Sequence, residues 1–286
     1  MQGKIGNSVF VNKTLNDNNL YAKKKFGQNF LTDQNILTSI VDSAEITKDT
    51  LVIEIGPGLG SLTEHLCQKA GHVLCYEIDK DLIPILSKNL EKYDNFTVIQ
   101  ADILDVDINK DIDLYSKNYG NIYLVANLPY YITTPIVLGL LSKTDKIRRY
   151  VMMMQLEVAD RICGKPKSKD YNALSIAIKY RAKAEKIIKV PRTVFIPKPN
   201  VDSAVIKLDL YENPLYKANN EKHFFTFIRN CFSQRRKTLF NNLTQVYSKE
   251  NINKMFENLN IKPTTRSEEL DIIDFINMSN YLCDNE

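Results

Sequence analysis

The feature that most constrains the fold is an alternation of apolar runs with amphipathic segments between residues 51 and 155. Each apolar run is short enough for a buried strand, and each amphipathic segment has the spacing of a helix. Repeated strand–helix units cover both faces of a sheet with helices, so the pattern predicts an α/β fold with a mostly parallel, doubly wound sheet. The predicted strands are LVIEIG, HVLCYEID, FTVIQAD, IYLVANLPY and YVMMMQ.

The segment before this core predicts two different structures. Residues 1–20 are polar and rich in Asn, which predicts a loose N-terminal arm. Apolar residues then recur at helical spacing over residues 36–44, and Thr32 or Asp33 is the predicted cap of that helix.

After the core the pattern changes twice. Residues 173–190 and 203–211 are predicted as late strands that flank a proline-rich loop. From residue 212 onward only helical patterns remain. The predicted domains are therefore an α/β domain over residues 1–211 and a small all-helical domain over residues 212–286.

Charge is distributed unevenly along the chain. Residues 51–140 carry 6 Lys and Arg against 12 Asp and Glu, whereas residues 141–200 carry 15 against 5. An acidic module suits a cationic or hydroxyl-rich small molecule, and a basic stretch suits a polyanion such as nucleic acid. Lysine-rich faces also serve only to keep a protein in solution, so charge leaves both interpretations open.

The cysteines and the N-terminus predict a reduced, cytoplasmic protein. No apolar run approaches the roughly 20 residues of a membrane span, and the N-terminus lacks the pattern of a secretory signal. The cysteines are odd in number and have no CxxC or Cys/His spacing, which predicts free thiols and no metal site. They are Cys67, Cys75, Cys163, Cys231 and Cys283.

A glycine-rich turn, EIGPGLG (Glu54–Gly60), follows the first predicted strand and opens a helix. Gly56, Gly58 and Gly60 allow the backbone to turn sharply and to lie close to a ligand. Such a run is compatible with NAD, with a nucleoside cofactor or with a tight turn alone. Its G-x-G-x-G spacing differs from the dinucleotide fingerprint G-x-G-x-x-G, which favours a cofactor without a pyrophosphate, such as S-adenosylmethionine.

Two carboxylates follow at successive strand ends. Glu77 ends the second predicted strand, where a carboxylate suits the two hydroxyls of a ribose. Asp102 ends the third, where it can accept a hydrogen bond from an adenine amine. Each is also compatible with a solvated acid at a strand end, but their common register favours a ligand site.

The tetrapeptide NLPY (Asn127–Tyr130) ends the fourth predicted strand, at the sheet edge where doubly wound folds bind ligands. Asn127 offers a side-chain carbonyl, Pro129 stiffens the loop so that the Leu128 carbonyl keeps its direction, and Tyr130 offers a face for base stacking. Two acceptors on an exocyclic amine favour a nitrogen whose lone pair is available for methyl transfer. An ordinary Asn-Pro turn is the alternative.

Taken in order, KKKFGQNFL, EIGPGLG, YEID, QADI, NLPYYITTP, FIPKPNVDSAVI and FSQRRKTLFNNL resemble the ribosomal RNA adenine dimethyltransferase family from about residue 20 to the C-terminus. The resemblance implies a Rossmann-like methyltransferase domain, a small helical C-terminal domain and S-adenosylmethionine as the methyl donor. It also implies a substrate, namely two adjacent adenosines near the 3′ end of small-subunit rRNA in a pre-ribosomal particle. We further expect a monomeric protein that acts in ribosome biogenesis.

The resemblance also implies roles for individual residues. Phe195 is expected to be a second stacking partner of the target base, beside Tyr130. Tyr131 stands where many relatives carry Asn, a change that leaves both acceptor roles untouched. The expected catalytic residues are Asn127, Leu128, Pro129, Tyr130 and Phe195. The expected cofactor-binding residues are Gln28, Asn29, Leu31, Gly56, Gly58, Glu77, Ile78, Asp102, Ile103 and Asn127.

Two basic triplets are candidates for contact with RNA phosphates. Lys23, Lys24 and Lys25 precede QNFL, and Arg235, Arg236 and Lys237 lie within a predicted helix whose core side is Phe225, Ile228, Phe232 and Leu239. Either triplet is also compatible with a solvated surface or a helix end.

Three other functions compete with this prediction. A macrolide-resistance methyltransferase uses similar motifs on large-subunit rRNA, and an assembly or transcription factor can keep the fold without catalysis. A DNA adenine methyltransferase would have to flip or unpair its target base. The site residues are all present and the C-terminal motifs match, which favours the small-subunit enzyme.

Overall fold

The computed structural model describes residues 5–23 and 26–284. A seven-stranded sheet with the order β4-β3-β2-β5-β6-β9-β7 forms its centre, and β1 pairs with β8 in a separate two-stranded sheet. The strands are β1 (Phe30–Leu31), β2 (Thr50–Ile55), β3 (His72–Glu77), β4 (Phe96–Gln100), β5 (Asn121–Asn127), β6 (Arg149–Gln155), β7 (Ala182–Val190), β8 (Phe195–Ile196) and β9 (Ser203–Leu210).

The helices alternate with the strands in the first half of the chain and follow one another at the C-terminus. They are α1 (Ser8–Asp17), α2 (Gln34–Ala44), α3 (Ser61–Lys69), α4 (Ile83–Asn89), α5 (Ile108–Tyr115), α6 (Thr133–Lys143), α7 (Leu156–Ile162), α8 (Ala173–Arg181), α9 (Glu221–Cys231), α10 (Leu239–Leu243), α11 (Lys249–Asn258) and α12 (Ile272–Asp284).

The predicted mostly parallel sheet is confirmed. Strands β2 to β6 pair in parallel, and β9 runs antiparallel to β6. Every residue of β2 is buried, as expected for a strand covered by helices on both faces. The carboxyl ends of β2, β3, β4 and β5 therefore lie at one edge of the sheet, where the predicted site residues fall.

The predicted loose arm is wrong over its described part, because residues Ser8–Asp17 form helix α1. The Asn7 side chain accepts a hydrogen bond from the Phe10 N–H and caps the helix. Val11 and Leu15, one helical turn apart, are buried in a cluster with residues of the glycine turn and of α4. The polar composition of this segment reflects the exposed side of the helix, while its apolar residues Val11, Leu15 and Phe10 pack against buried clusters.

The predicted strand over residues 173–190 is wrong in its first half, where Ala173–Arg181 form α8. The Asn172 side chain accepts from the Leu174 N–H, and the Ser175 hydroxyl accepts from the Asn172 N–H, which completes a capping box. Ile176 and Tyr180 lie one turn apart and are buried among the C-terminal helices. Capping and the i, i+4 pair outweigh the β-branched composition of this segment.

The chain divides into two compact units. One contains the described residues up to Ala159 together with Glu185–Leu210, and the other contains Asp160–Ala184 and the described residues from Tyr211 onward. The sequence prediction drew a single boundary near residue 211, whereas α8 shares the apolar core of α9 and α12. Within the described residues, no helix is long and apolar enough to cross a membrane.

The helix predicted through the second basic triplet is interrupted, so this part of the prediction is wrong. Helix α9 ends at Cys231 and α10 begins at Leu239. Asn242 donates its side-chain amide to the carbonyls of Cys231 and Gln234, and Thr238 caps α10. These contacts satisfy backbone groups at the two helix ends, so residues 232–238 form turns rather than a continuous helix.

Candidate cofactor and target site

A cavity opens at the carboxyl edge of the parallel strands and gathers the predicted residues. Its lining includes all of the predicted cofactor-binding residues and, of the predicted catalytic residues, the NLPY tetrapeptide. Those residues are Gln28, Asn29, Leu31, Gly56, Gly58, Glu77, Ile78, Asp102, Ile103, Asn127, Leu128, Pro129 and Tyr130. Residues from positions 28 to 130 meet here because parallel strands bring their carboxyl ends to one sheet edge.

The first wall of the cavity joins the glycine turn to the end of β3. The Glu77 carboxylate accepts hydrogen bonds from the Gly58 N–H at 3.1 Å and from the Asp79 N–H at 2.8 Å. Its side chain is almost completely buried, and burial raises the pKa of the carboxyl above its ordinary value although both N–H groups oppose the change. Glu77 is thus held by backbone donors at the cavity wall.

Two glycines leave room in this wall. Gly56 has a positive φ of 68°, and a Cβ built there would meet no atom within 4 Å. Gly58 also has a positive φ, and a Cβ there would lie 3.2 Å from the Phe30 ring. Side chains at these positions would therefore project into the open space or press on its wall, so the turn is shaped to admit a ligand.

The next wall carries an apolar surface and a second carboxylate. Ile78, the residue that follows β3, is 39% exposed, and Ile103 is buried beside Asp102. One oxygen of Asp102 accepts from the Leu104 N–H at 3.0 Å. Apolar side chains next to a carboxylate suit a purine ring with an exocyclic amine, so these residues fit the adenosine half of S-adenosylmethionine.

Each residue of the NLPY loop takes part in a hydrogen bond, and Pro129 does so through its carbonyl. Asn127 donates its side-chain amide to the Asn29 carbonyl at 3.3 Å, and the Leu128 N–H donates to the Met153 carbonyl at 3.0 Å. The Thr133 hydroxyl donates to the Pro129 carbonyl at 2.9 Å. The Asn127 Oδ1 has no protein donor in the part of the chain that the structure describes, so it is left as an acceptor.

Tyr130 is anchored at its far end. Its hydroxyl shares a 2.5 Å hydrogen bond with the hydroxyl of Ser203, the first residue of β9. The residue is partly buried and lines the cavity, so its ring is fixed in direction.

Phe195 is placed differently from the prediction. It pairs with Leu31 in the small two-stranded sheet, is 3% exposed and belongs to the core of the α/β unit, and it does not line the cavity. Its role as a stacking partner stays a prediction, and it requires the ring to become accessible when substrate binds.

The candidate phosphate contacts also differ from one another. Lys23 forms ion pairs at 2.6 Å with Asp79 and with Asp81, so its charge is engaged within the protein. Lys24 and Lys25 lie outside the described residues. Arg235, Arg236 and Lys237 are exposed in the turn between α9 and α10, and the described residues offer them no ion pair. The second triplet is therefore the better placed for a polyanion.

Glu54 and Tyr131 line the cavity but were not assigned a role from the sequence. Glu54 is 1% exposed within β2, and burial raises its pKa to about 8. Its place in EIGPGLG was visible, but its burial depends on the helices that cover the sheet. Tyr131 is 54% exposed, and its ring lies 3.2 Å from where a Gly27 Cβ would be.

The described residues contain no cluster of His, Cys, Asp or Glu side chains that could hold a metal ion.

Comparison with known sequences agrees with this geometry. The family model described as "Ribosomal RNA adenine dimethylase" matches residues 19–284. The chain is 48% identical to "Ribosomal RNA small subunit methyltransferase A" of Lactococcus lactis, over 98% of this chain and 96% of that protein. It is 49% identical to the protein of the same name from Geobacillus kaustophilus, over 91% and 90% of the two chains.

Comparison with solved structures gives the same family. A dimethyladenosine transferase from Plasmodium falciparum aligns with a TM-score of 0.72 and 28% identity, covering 87% of this chain and 95% of that one. The 23S rRNA methyltransferase ErmE aligns with a TM-score of 0.67 and 26% identity, covering 89% and 99%. The chain therefore belongs to the ribosomal RNA adenine dimethylase family.

Proposed function

We propose that this protein transfers methyl groups from S-adenosylmethionine to the N6 amines of two adjacent adenosines near the 3′ end of small-subunit rRNA. The observation that carries the proposal is the single cavity that joins the Gly56–Glu77–Asp102 walls to the NLPY loop. The names of relatives that are 48% and 49% identical support the small subunit as the source of the substrate.

The cofactor half of the cavity fits a nucleoside rather than a dinucleotide. We propose that Glu77 accepts from the ribose hydroxyls, that Asp102 accepts from the cofactor amine, and that Ile78 and Ile103 contact the purine. Gln28, Asn29 and Leu31 line the same space, and Gly56 leaves room for the methionine part. When bound there, the sulfonium supplies an electrophilic methyl group.

The NLPY loop acts on the target amine. The N6 lone pair of adenine is delocalised into the ring, so the amine is a poor nucleophile. The Asn127 Oδ1 and the Leu128 carbonyl accept from its two N–H groups, which favours a tetrahedral nitrogen with its lone pair directed at the methyl group. The Tyr130 ring, fixed through Ser203, stacks on the base and limits its rotation.

A second methylation of the same nitrogen needs a looser arrangement. A monomethylated amine keeps one N–H, so one of the two acceptors must release its contact or the base must rotate.

The cellular setting belongs to the same proposal. We infer a monomeric, cytoplasmic enzyme that acts on a pre-ribosomal small subunit. The enzyme's residues 212–286, including the exposed turn with Arg235, Arg236 and Lys237, would contact the rRNA. Cys67, Cys75, Cys231 and Cys283 are free thiols in the structure, as suits a reducing compartment.

The decisive experiment incubates the purified protein and labelled S-adenosylmethionine with one substrate at a time: small subunits, large subunits or duplex DNA. The modified adenines are then mapped in each product. We expect two adjacent N6,N6-dimethyladenosines in small-subunit rRNA and no label elsewhere. The likeness to ErmE makes large-subunit rRNA the second candidate substrate. Label only in large-subunit rRNA would contradict the proposal, and binding without methyl transfer would indicate an assembly or transcription factor that retains the fold.

A further inference from the structure

Lys23 and Gln28, which precede the small strand β1, are both tied to one carboxylate beside the cofactor cavity. The Lys23 ammonium donates to Asp79 Oδ1 at 2.6 Å, and the Gln28 side-chain amide donates to Asp79 Oδ2 at 2.8 Å. The Lys23 N–H in turn donates to Gln28 Oε1 at 2.8 Å. Both oxygens of Asp79 are therefore occupied by one short segment of chain.

Asp79 belongs to the same loop as the proposed ribose ligand. Its N–H donates to Glu77 Oε1 at 2.8 Å, while Glu77 Oε2 accepts from the Gly58 N–H at 3.1 Å. Hydrogen bonds thus run without a break from Lys23 through Asp79 and Glu77 to the glycine turn. Lys23 lies outside the cavity lining but is two hydrogen-bonded steps from Glu77.

The burial of Asp79 makes its cationic partner necessary. The side chain of Asp79 is 2% exposed, whereas that of Lys23 is 29% exposed. Burial alone would raise the pKa of Asp79, but the hydrogen bonds from Lys23 and Gln28 outweigh it and lower the pKa below its ordinary value. An ionised carboxylate this deeply buried is destabilising unless a cation and hydrogen-bond donors compensate it.

The other end of the segment touches the catalytic loop. Gly27 lies in the left-handed region at φ 59°, and a Cβ there would meet the Tyr131 ring at 3.2 Å. The Asn29 carbonyl accepts from the Asn127 side-chain amide at 3.3 Å. The segment is therefore attached to the Glu77 loop through Asp79 and to the NLPY loop through Gly27 and Asn29.

We propose that Lys23 is a positioning residue for cofactor binding, which anchors the segment carrying Gln28 and Asn29 to Asp79 beside Glu77, and that it is not an RNA phosphate contact. The proposal rests on the proposed function, because it assumes that the cavity holds the adenosine cofactor. Loss of the ammonium would leave Asp79 with an uncompensated charge, so the Gln28 wall and the Asp79 N–H that orients Glu77 would both loosen. RNA affinity would not depend on this ammonium.

The test measures binding of S-adenosylhomocysteine, the unreactive product, to the full-length protein by titration calorimetry. We expect Lys23→Met to raise Kd at least tenfold and Lys23→Arg to restore most of the affinity. The matched control is Lys80→Met, which removes an exposed charge next to Asp79 that has no ion pair within the described residues. The control should bind within about twofold of the unmodified protein, because an exposed charge without an ion pair contributes little to the local structure.

A double-variant comparison isolates the ion pair. Asp79→Asn removes the buried charge, so Lys23→Met should weaken cofactor binding far less in that background than in the unmodified protein. A tenfold further loss in the Asp79→Asn background would show that Lys23 acts independently of Asp79 and would overturn the proposal. Where Lys23→Met alone is too unstable to purify, comparing Asp79→Asn with the double variant still detects a role of Lys23 that does not depend on Asp79, which would overturn the proposal.

Parallel binding to small-subunit rRNA over a salt series separates the two roles of Lys23. We expect unchanged RNA affinity and an unchanged salt slope for Lys23→Met. Normal cofactor binding together with weaker RNA binding and a smaller salt slope would identify Lys23 as a phosphate contact and overturn the proposal. Failure of the unmodified protein to bind S-adenosylhomocysteine would instead contradict the proposed function itself.

Discussion

At the scale of single residues, the amide of Asn127 does two things at once. Its Nδ2 donates to the Asn29 carbonyl, which fixes the amide plane and leaves Oδ1 as an acceptor at the cavity. The Leu128 N–H donates to the Met153 carbonyl and the Pro129 carbonyl accepts from the Thr133 hydroxyl, so the peptide group that carries the Leu128 carbonyl is held on both sides. The two proposed acceptors are thus oriented before substrate arrives, which is the condition for electrostatic preorganisation.

Asn127→Ala should abolish most methyl transfer while RNA binding persists. Removal of one preorganised group lowers kcat by about 100-fold or more in comparable sites. Single-turnover methylation of small-subunit rRNA measures the loss. The matched control is Asn121→Ala at the opposite end of β5, which should keep its activity. Activity of Asn127→Ala within a few fold of the unmodified enzyme would refute the acceptor mechanism.

Glu54 makes stability depend on pH in a direction opposite to that of a salt-bridged acid. Folding raises its pKa from 4.5 to about 8, so between these values the folded protein holds a proton that the unfolded chain has released. The free energy of unfolding contributed by this group therefore falls as pH rises through the window. At pH 8 the cost is on the order of a few kcal/mol.

Glu54→Gln removes this titration while keeping the shape of the side chain. We expect the variant to gain stability over the unmodified protein, measured without cofactor, and to gain more at pH 8 than at pH 5. Chemical denaturation at both pH values gives the difference. Glu91→Gln changes an exposed carboxyl and should show no such trend. An equal gain at both pH values would mean that Glu54 is ionised in the folded protein.

At the scale of elements, α1 shows how a polar segment becomes structural. Val11 and Leu15 pack in a cluster with Phe30, Leu59 and Leu82, and these three residues also line the cavity. The helix therefore supports the cavity wall from behind. Its contribution comes from burial of one narrow apolar stripe rather than from overall hydrophobicity.

Leu15→Ala should lower the free energy of unfolding by about 2–3 kcal/mol, because it leaves a void beside the cavity wall. Val9→Ala on the same helix is the control, since Val9 is 75% exposed, and should change stability by less than about 0.5 kcal/mol. Chemical denaturation measures both. Equal stabilities of the two variants would mean that α1 is not docked in solution.

At the scale of the whole molecule, charge is separated along the chain. The acidic stretch from residue 51 to residue 140 contains most of the proposed cofactor ligands, whereas residues 141–200 are strongly basic. The two compact units also differ in what they carry, since the cavity lies entirely in the first and the Arg235–Lys237 turn in the second. This separation suits one surface for a small cation and another for a polyanion.

Replacement of Arg235, Arg236 and Lys237 by Gln should weaken binding to small-subunit rRNA and leave the Kd for S-adenosylhomocysteine unchanged. Each lost phosphate contact lowers the slope of log K against log salt by about 0.7–0.9, so three contacts would lower it by about 2–3. Filter binding over a salt series measures the slope.

The control for this triplet removes the same charge from other exposed positions of the second unit, namely Lys222, Lys249 and Lys262. A control that lowers the slope as much as the triplet does would show that the unit contributes only a diffuse positive field. A slope that is unchanged in the triplet variant would place the RNA contact elsewhere.

The amino-acid pattern was enough to predict the parallel strands of the sheet and the polar residues that line the cavity. Strands β2 to β6 were predicted because buried parallel strands are continuous apolar runs, and Gly56, Glu77, Asp102 and Asn127 lie at the ends of those runs, where topology alone brings them together. The family was identified from the same motifs and is confirmed by the relatives.

Features that depend on partners far away in the chain became visible in the folded structure alone. Helix α1 needs Leu59 and Leu82, and α8 needs the C-terminal helices, so neither could be predicted from its own composition. Lys23 was predicted to contact RNA from its place in a basic triplet, and its ion pair with Asp79, which lies 56 residues away, was not visible in the sequence. Local patterns record which backbone shape a segment prefers, whereas long-range contacts decide which side chains remain available for a ligand.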